Sequence, residues 1–247
     1  MSGHSKWATI KHQKGAKDAK RGKLFAKLAR QIEVTARAGG PDPASNAALR
    51  TAVLKAKAGQ MTNEAIDRAI KRGAGTDEGG TYEAITYEGY APGGVALLID
   101  VLTDNRNRSG ADIRNIFSKL GGSMAEPGAV GWQFSRKAVV VAKGSEDDVM
   151  LVALDAGAED IADDGDGEWR ITAEPGALHT LRDALEAGGI EVVSADSTMV
   201  SSVTIEVGDV EEAKKVLRIV DALEDNDDVQ DVFGNFDISD EIMEAMD

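Results

Sequence analysis

The chain has 247 residues, of which 42% are hydrophobic, 29% charged and only 4% aromatic, as in a globular protein with largely aliphatic cores. It contains no cysteine, which excludes disulfides, zinc–thiolate sites and thiol nucleophiles and fits a reducing compartment. No apolar run is long enough to span a membrane, and the first ten residues lack the apolar region of a secretory signal. We therefore expect a cytoplasmic protein with no membrane partner.

The net charge of −15 conceals an uneven distribution along the chain. Residues 1–75 hold 16 Lys and Arg against five Asp and Glu, whereas residues 76–247 hold 12 against 38. A basic block joined to an acidic body indicates that one end contacts nucleic acid or another acidic surface. The alternative is that the two parts neutralise each other within the molecule.

The basic block begins with an arm at residues 5–21, in which glycines interrupt any regular pattern. This composition is typical of a segment that becomes ordered on its partner. The arm cations that we predict to bind nucleic acid are Lys6, Lys11, Lys14, Lys17, Lys20 and Arg21.

A helix is predicted over residues 22–38, because apolar residues recur there at helical spacing. Its opposite arc is basic and carries Lys20, Lys23, Lys27, Arg30 and Arg37. Cations on one helix face can follow the phosphates of a nucleic acid, so this arc is the strongest candidate site. The alternative is an ordinary solvated helix face.

Two shorter helices are predicted to complete an all-α domain with a basic exterior. Asp42 and Pro43 suit the start of one, which would end near Gly59. Thr62 suits the start of the next, which we expect Gly73 to stop. A Gly-, Asp- and Glu-rich linker follows at residues 76–80.

The rest of the chain alternates between strand and helix patterns. Strands are predicted at 95–102, 130–134, 139–142, 158–163, 168–172, 190–194, 203–207 and 229–238, and helices at 109–120, 145–156, 175–187 and 209–224. Residues 138–200 thus read β-α-β-β-α-β, the ferredoxin-like order, and the segments around them supply two parts of a second such unit.

The predicted fold class is therefore α+β, an all-α domain followed by two ferredoxin-like domains. We expect a basic nucleic-acid-binding domain at 1–75, a discontinuous domain at 76–135 plus 203–247, and an acidic domain inserted at 136–202. Two domains in simple series are the alternative.

A second phosphate site is predicted in the polar stretch 103–108, between a buried strand and a helix. Arg106 and Arg108 could hold a phosphate there, close to free N–H groups at a helix start. Alternatively, Asp104 and these arginines hold the loop and a domain interface together.

Enzyme signatures are missing: no Walker loop, dinucleotide fingerprint, nucleophile elbow or zinc-protease motif occurs. His4 and His12 have no nearby carboxylate, so we expect no metal site and no cofactor. A regulator that binds nucleic acid is the first hypothesis. A protein-interaction scaffold and a metal-dependent enzyme are the alternatives from other classes.

Five stretches resemble the YebC/PmpR family, and the similarity covers essentially the whole chain. They are GHSKW at 3–7, KGAKDAKRGK at 14–23, YEGY at 87–90, TDNRNR at 103–108 and DVFGNFD at 231–237. One departure is Ala91, where the family commonly has glycine.

The resemblance implies a three-domain cytoplasmic protein, with one helical and two α/β domains. It also implies one of two roles. The family is described as DNA-binding transcriptional regulators, and members are implicated as translation factors that act on ribosomes at proline-rich stretches. The expected partner is accordingly DNA or ribosomal RNA, with the ribosome as a possible assembly.

Overall fold

A computed structural model describes residues 18–75 and 82–246, with only the backbone described for residues 18–21 and for Asp240. The cations predicted at residues 6–17 and the linker predicted at residues 76–80 lie outside the described residues. Within the described residues, no helix is long and apolar enough to cross a membrane.

The first part of the chain, which we call the head, is a bundle of three helices: α1 (Asp18–Gly39), α2 (Ala47–Ala58) and α3 (Asn63–Ala74). Its core is small and largely aliphatic, as the composition requires. The buried members are Leu28, Ile32, Ala36, Leu49, Ala52, Ala56, Met61, Ile66 and Ala69. The predicted all-α head is confirmed.

The start of α2 differs from the prediction, because Asn46 and not Asp42 caps it. The side-chain oxygen of Asn46 accepts from the backbone N–H of Leu49 at 3.0 Å. Its amide group donates to the carbonyls of Thr35 and Gly40, so one side chain also fixes the end of α1. Asp42 instead accepts from the N–H of Ala44 and closes the preceding turn.

Gly73 does not stop α3, and the prediction that it does is wrong. The helix continues to Ala74, and Gly73 is buried against α1. A Cβ at this position would overlap the carbonyl oxygen of Glu33 and lie 2.9 Å from the Cβ of Ala36. The glycine therefore permits close packing of two helix backbones.

The remaining elements form the acidic body. Its strands are β1 (Glu83–Tyr90), β2 (Ala96–Thr103), β3 (Ser123–Ala125), β4 (Phe134–Lys143), β5 (Ala158–Gly165), β6 (Glu168–Ala173), β7 (Glu191–Ser201), β8 (Ile205–Val207), β9 (Val229–Gly234) and β10 (Phe236–Ile238). Its helices are α4 (Arg106–Leu120), α5 (Glu146–Asp155), α6 (Leu178–Ala187), α7 (Val210–Glu224) and α8 (Asp240–Glu244).

Strands β4 to β7 form one antiparallel sheet in the order β5-β6-β4-β7. With α5 after β4 and α6 after β6, this is the ferredoxin-like arrangement predicted from the sequence. Both helices share an apolar core with one face of the sheet, including Val140, Val149, Ile171, Leu181 and Leu185. We call this unit the insert.

A second antiparallel sheet has the order β3-β1-β2-β9, and α4 and α7 share its core. It begins with the hairpin of β1 and β2, whereas a ferredoxin-like chain begins β-α-β. Strand β9 pairs with β2, so the chain returns to this sheet after the insert. Strands β8 and β10 form a separate parallel pair.

The strand predicted at 130–134 is a single 3₁₀ turn at Gly131–Gln133, and β4 begins at Phe134. The carboxylate of Glu88 explains the difference. It accepts from the backbone N–H groups of Gly128, Val130 and Gly131 at 2.6–2.8 Å, so no neighbouring strand is needed to satisfy these groups. Burial would raise the pKa of Glu88, but these hydrogen bonds hold it below its ordinary value.

We propose that residues 136–202 are a domain inserted into a discontinuous one. The chain enters and leaves the insert through paired strands, with Phe134 opposite Ser201 and Ser135 opposite Val200. Removing residues 136–199 and joining Ser135 to Val200 through Asn-Gly would close this ladder as a two-residue hairpin. We expect the shortened chain to melt cooperatively in calorimetry, whereas a broad, non-cooperative transition would show that the two sheets share one folding unit.

Candidate functional site

Part of the basic arc of α1 packs against the body, so the arc is not an entirely solvated helix face. Opposite it lies the segment 224–231, which we call the acidic loop and which contains five Asp and Glu residues. The arc cations Lys23, Lys27 and Arg30 all donate hydrogen bonds to this loop.

Two lysines of the arc cap the carboxyl end of α7. The ammonium of Lys27 donates to the carbonyl of Glu224 at 2.5 Å, and that of Lys23 donates to the carbonyl of Asp225 at 3.1 Å. The last carbonyls of a helix lack partners within it and carry a partial negative charge, so cations are favourable there. Side chains of α1 in the head thus supply hydrogen-bond donors for the last carbonyls of α7 in the body.

Lys27 is the more buried of these two lysines. Burial lowers its pKa from 10.5 to about 8, although Asp227, Asp231 and Asp225 oppose this shift. Beside it, a cleft of about 310 Å³ is lined by Gly22, Lys23, Ala26, Lys27, Arg30 and Asp227. With a pKa of about 8, the ammonium of Lys27 loses its charge at a lower pH than an ordinary lysine does.

Arg30 joins the head to two separate parts of the body. One nitrogen of its guanidinium donates to the carbonyls of Leu102 and Asp227, each at 3.1 Å, and to the carboxylate of Asp228 at 3.2 Å. The guanidinium also lies 5.0 Å from the centre of the Tyr82 ring, within the range of a cation–π contact.

Asp228 is the acceptor at which these connections meet. Its second carboxylate oxygen accepts from the hydroxyls of Thr103 and Ser109, at 3.1 and 2.7 Å, and from Arg108 at 2.7 Å. Burial would raise the pKa of Asp228, but the hydrogen bonds from Arg108, Ser109 and Thr103 and the charge of Arg108 hold it below its ordinary value. The carboxylate is thus kept ionised in a buried position.

The head has a further contact with the acidic loop through α2. The ammonium of Lys55 donates to both carboxylate oxygens of Asp231, at 2.7 and 2.9 Å. Periodicity within a helix does not reveal a neighbouring domain, so the sequence did not identify Lys55 as an interface residue. Asp228 and Asp231 were likewise missed, and their only sequence signal is the acidic run that begins at Glu224.

Arg106 and Arg108 were predicted to lie in a loop, but they lie in the first turn of α4. Asn105 caps this helix, and its side-chain oxygen accepts from the N–H of Arg108. The structure places them in different surroundings. Arg108 donates to Asp104 and Asp228, as in the alternative in which the arginines hold an interface. Arg106 is 65% exposed and lies 3.6 Å from Glu83. Both side chains are exposed, but Arg108 contacts two carboxylates at short distance and Arg106 one at 3.6 Å, so Arg106 is the more available cation at the predicted phosphate site.

The other predicted cations are spread over the head. Lys20 and Arg21 lie in the first turn of α1, where only the backbone is described, and Arg37 is exposed in its last turn. Further exposed cations of the head are Arg50, Lys57, Arg68, Lys71 and Arg72, the last of them paired with Glu33. Within residues 18–75 and 82–246, no group of three or more His, Asp or Glu could hold a metal.

Asp228→Asn should destabilise the protein by about 3 kcal/mol, because it leaves Arg108 and Arg30 without their buried counter-charge. The pKa of Asp228 is lowered in the folded state, so its contribution is present above the ordinary carboxyl pKa and is lost as pH falls through the lowered value. Urea unfolding at neutral and acidic pH measures both effects, and the difference between variant and parent should shrink in acid.

The matched control is Asp225→Asn, which neutralises an exposed carboxylate of the same loop. We expect it to change stability by less than about 0.5 kcal/mol, as is usual for surface positions. Equal effects of the two substitutions would contradict the central role of Asp228.

Two family models together match most of the chain. The model described as the TACO1/YebC protein N-terminal domain matches residues 5–76, and the model described as the TACO1/YebC second and third domain matches residues 82–236. The boundary between the two matches falls between the head and the body.

Similar proteins of full length are known. Proteins named probable transcriptional regulatory protein are 55% identical in Rubrobacter xylanophilus and 54% in Salinispora tropica, each over 98% of both chains. The crystal structure of a conserved hypothetical protein from Aquifex aeolicus, 43% identical, superposes with a TM-score of 0.79 over 92% of this chain and 94% of that one. The names of the relatives indicate a regulatory protein. On the matches to both parts of the chain, the protein belongs to the TACO1/YebC family.

Proposed function

We propose that the protein is a non-enzymatic regulator of gene expression that binds nucleic acid through its head. The observation that carries this proposal is the charge division: residues 1–75, which include the head, have a net charge of +11, and residues 76–247 have a net charge of −26. Lysine and arginine at this density attract a polyanion with little dependence on its sequence. The names of the relatives support the regulatory role.

The contacts of the arc suggest how nucleic acid is accommodated. The acidic loop offers carbonyl and carboxylate oxygens to Lys23, Lys27 and Arg30, and phosphate oxygens are acceptors of the same kind. We infer that a nucleic acid replaces the loop on the arc. Binding then separates part of the head from the body, and the loop acts as a competitor for the same cations.

The chemistry of the head favours recognition of the backbone over recognition of bases. Its cations are mainly lysines, which act as point charges on phosphate, whereas base edges are read by bidentate Arg, Asn or Gln. We expect weak sequence discrimination on duplex DNA. Structured RNA offers shape, so a role on the ribosome is the second candidate, and Arg106 is an exposed cation on the body that could contact it.

Changing Lys23, Lys27 and Arg30 together to Ala should lower the dependence of log K on log salt by roughly 2 to 3 units, at about 0.9 per lost phosphate contact. The measurement is a salt titration of binding to random duplex DNA, structured RNA and ribosomes in one buffer. Circular dichroism of each variant should show that the helices are retained.

The matched control changes three exposed cations of the same head, Lys57, Arg68 and Lys71, to Ala. We expect it to leave the salt dependence nearly unchanged. If the control lowers the slope and the arc variant does not, the nucleic acid lies on the other face. Preference for ribosomes over DNA would favour the translational role, and a single promoter bound about 10³-fold tighter than random DNA would favour transcription.

Replacement of the loop by phosphate has a consequence for pH. The pKa of Lys27 is about 8 in the free protein and should return toward 10.5 once its ammonium leaves the buried site and meets phosphate. The complex then holds more protons than the free protein between these values, so affinity should fall as pH rises above 8. The limiting slope is about one log unit of affinity per pH unit.

Lys27→Arg serves as the control, because a guanidinium keeps its proton throughout this range. Binding to duplex DNA measured from pH 7 to 10 should lose this component of its pH dependence in the variant. Equal pH profiles for the two proteins would show that Lys27 stays where it is when nucleic acid binds.

A further inference from the structure

Helix α5 of the insert exposes large apolar side chains on its outer face. Met150, Leu151 and Leu154 have 37, 67 and 62% of their surface exposed, and we call them the apolar stripe. Apart from Trp132, the two leucines are the most exposed large hydrophobic residues in the described parts of the chain. A helix on the surface of a domain ordinarily has polar residues at such positions.

The fold does not require these side chains. The inner face of α5 is formed by Val149 and Ala153, both fully buried, with Val152 and Ala156 packed at the edge of the same core. The helix is also firmly started, since Ser145 caps it and accepts from the N–H of Asp148. The apolar stripe therefore lies on a stable helix. Its exposure lowers solubility, and its side chains add nothing to the core of the insert.

Along the chain, the stripe is flanked only by acidic charges. Residues 144–169 contain ten Asp and Glu and no Lys, Arg or His. Exposed acids lie at both ends of α5, with Glu146 and Asp147 before the stripe and Asp155 after it. Two acids of this stretch pair with cations outside it, Glu159 with Lys137 and Asp164 with Arg170, and the stretch stays strongly negative.

This charge decides between the possible occupants. A nucleic acid or an anionic membrane would be repelled by the acids around the stripe. A second copy of the same surface would bring like charges together at both ends of α5. A protein segment with an apolar face and a lysine- or arginine-rich border matches both the stripe and its surroundings.

We propose that the apolar stripe of α5 is a docking surface for a basic amphipathic helix of a partner protein. Leu151 and Leu154 would pack against apolar side chains that recur at i, i+3 and i+4 on the partner helix. Asp147 and Asp155 would pair with its lysines or arginines. The surface uses no residue of the head. It gives the protein a second binding activity, in which a protein partner is held on the insert.

A model peptide tests the chemistry of this surface on the full-length protein. The probe is a fluorescein-labelled helix of about 18 residues, five turns, with leucines on one face and lysines on the other. Fluorescence anisotropy should show binding to the parent protein. Leu151→Ser combined with Leu154→Ser should weaken it by about tenfold or more, as expected for central apolar contacts.

Matched variants and probes separate the stripe from general stickiness. Leu54→Ser with Val193→Ser removes two apolar side chains exposed to 38 and 37% elsewhere, and it should bind the peptide like the parent. Asp147→Asn with Asp155→Asn should weaken binding and reduce its salt dependence. A peptide with glutamates in place of lysines should not bind, and the variants at positions 147, 151, 154 and 155 should keep the parental affinity for duplex DNA.

Four results with the purified protein would overturn the proposal. One is unchanged peptide binding by the stripe variant, and another is equal binding of the glutamate peptide. A third is stripe-dependent sedimentation with phosphatidylglycerol vesicles, which would assign the surface to a membrane. The last is a dimer in sedimentation velocity that the stripe variant abolishes, which would assign the surface to a second copy of the chain.

In cells, a photo-crosslinking residue at position 151 should capture basic helical segments. Capture of RNA or of acidic segments would contradict the proposal.

Discussion

The ionised, buried carboxylate of Asp228 is the constraint on which the arrangement of head and body depends. A charge in such a position is tolerated only when donors surround it, and its donors come from three places: Arg30 of the head, Thr103 at the end of β2, and Arg108 and Ser109 of α4. The strand, the helix and the head are consequently fixed relative to one point. The other cations of the arc extend this contact along the acidic loop.

The opposite charges of head and body are partly used inside the molecule. Lys27 shows the balance most clearly, since burial lowers its pKa while the neighbouring aspartates oppose the change. Contacts of this kind are weaker than those of a hydrophobic core and are screened by salt. The head side of the hydrogen bonds described between head and body consists of cations, which also suit an external polyanion. Neutralisation within the molecule and binding of nucleic acid, first considered as alternatives, can be two states of one surface.

The order of most helices and strands was predicted, whereas several caps and strand bounds and the contacts between distant residues were not. Helical periodicity and the strand–helix alternation gave the three-helix head and the ferredoxin-like insert. The role of Gly73 was misread, because a glycine near a helix end and a glycine beneath a crossing helix look alike in one dimension. The burial of Lys27, the pairing of Lys55 with Asp231 and the different surroundings of Arg106 and Arg108 all depend on residues far away in the chain. No periodicity encodes them.

The two crossings into the insert are themselves paired strands, with Phe134 opposite Ser201 at their base and the register unbroken as far as Val141 opposite Ser194. A hydrogen-bonded ribbon resists bending and twisting far more than two single-stranded linkers would. The insert should accordingly keep a nearly constant orientation on the first sheet. A molecule bound to α5 would then be held at a fixed distance and angle from a molecule bound to the first sheet. The paired strands would set that distance.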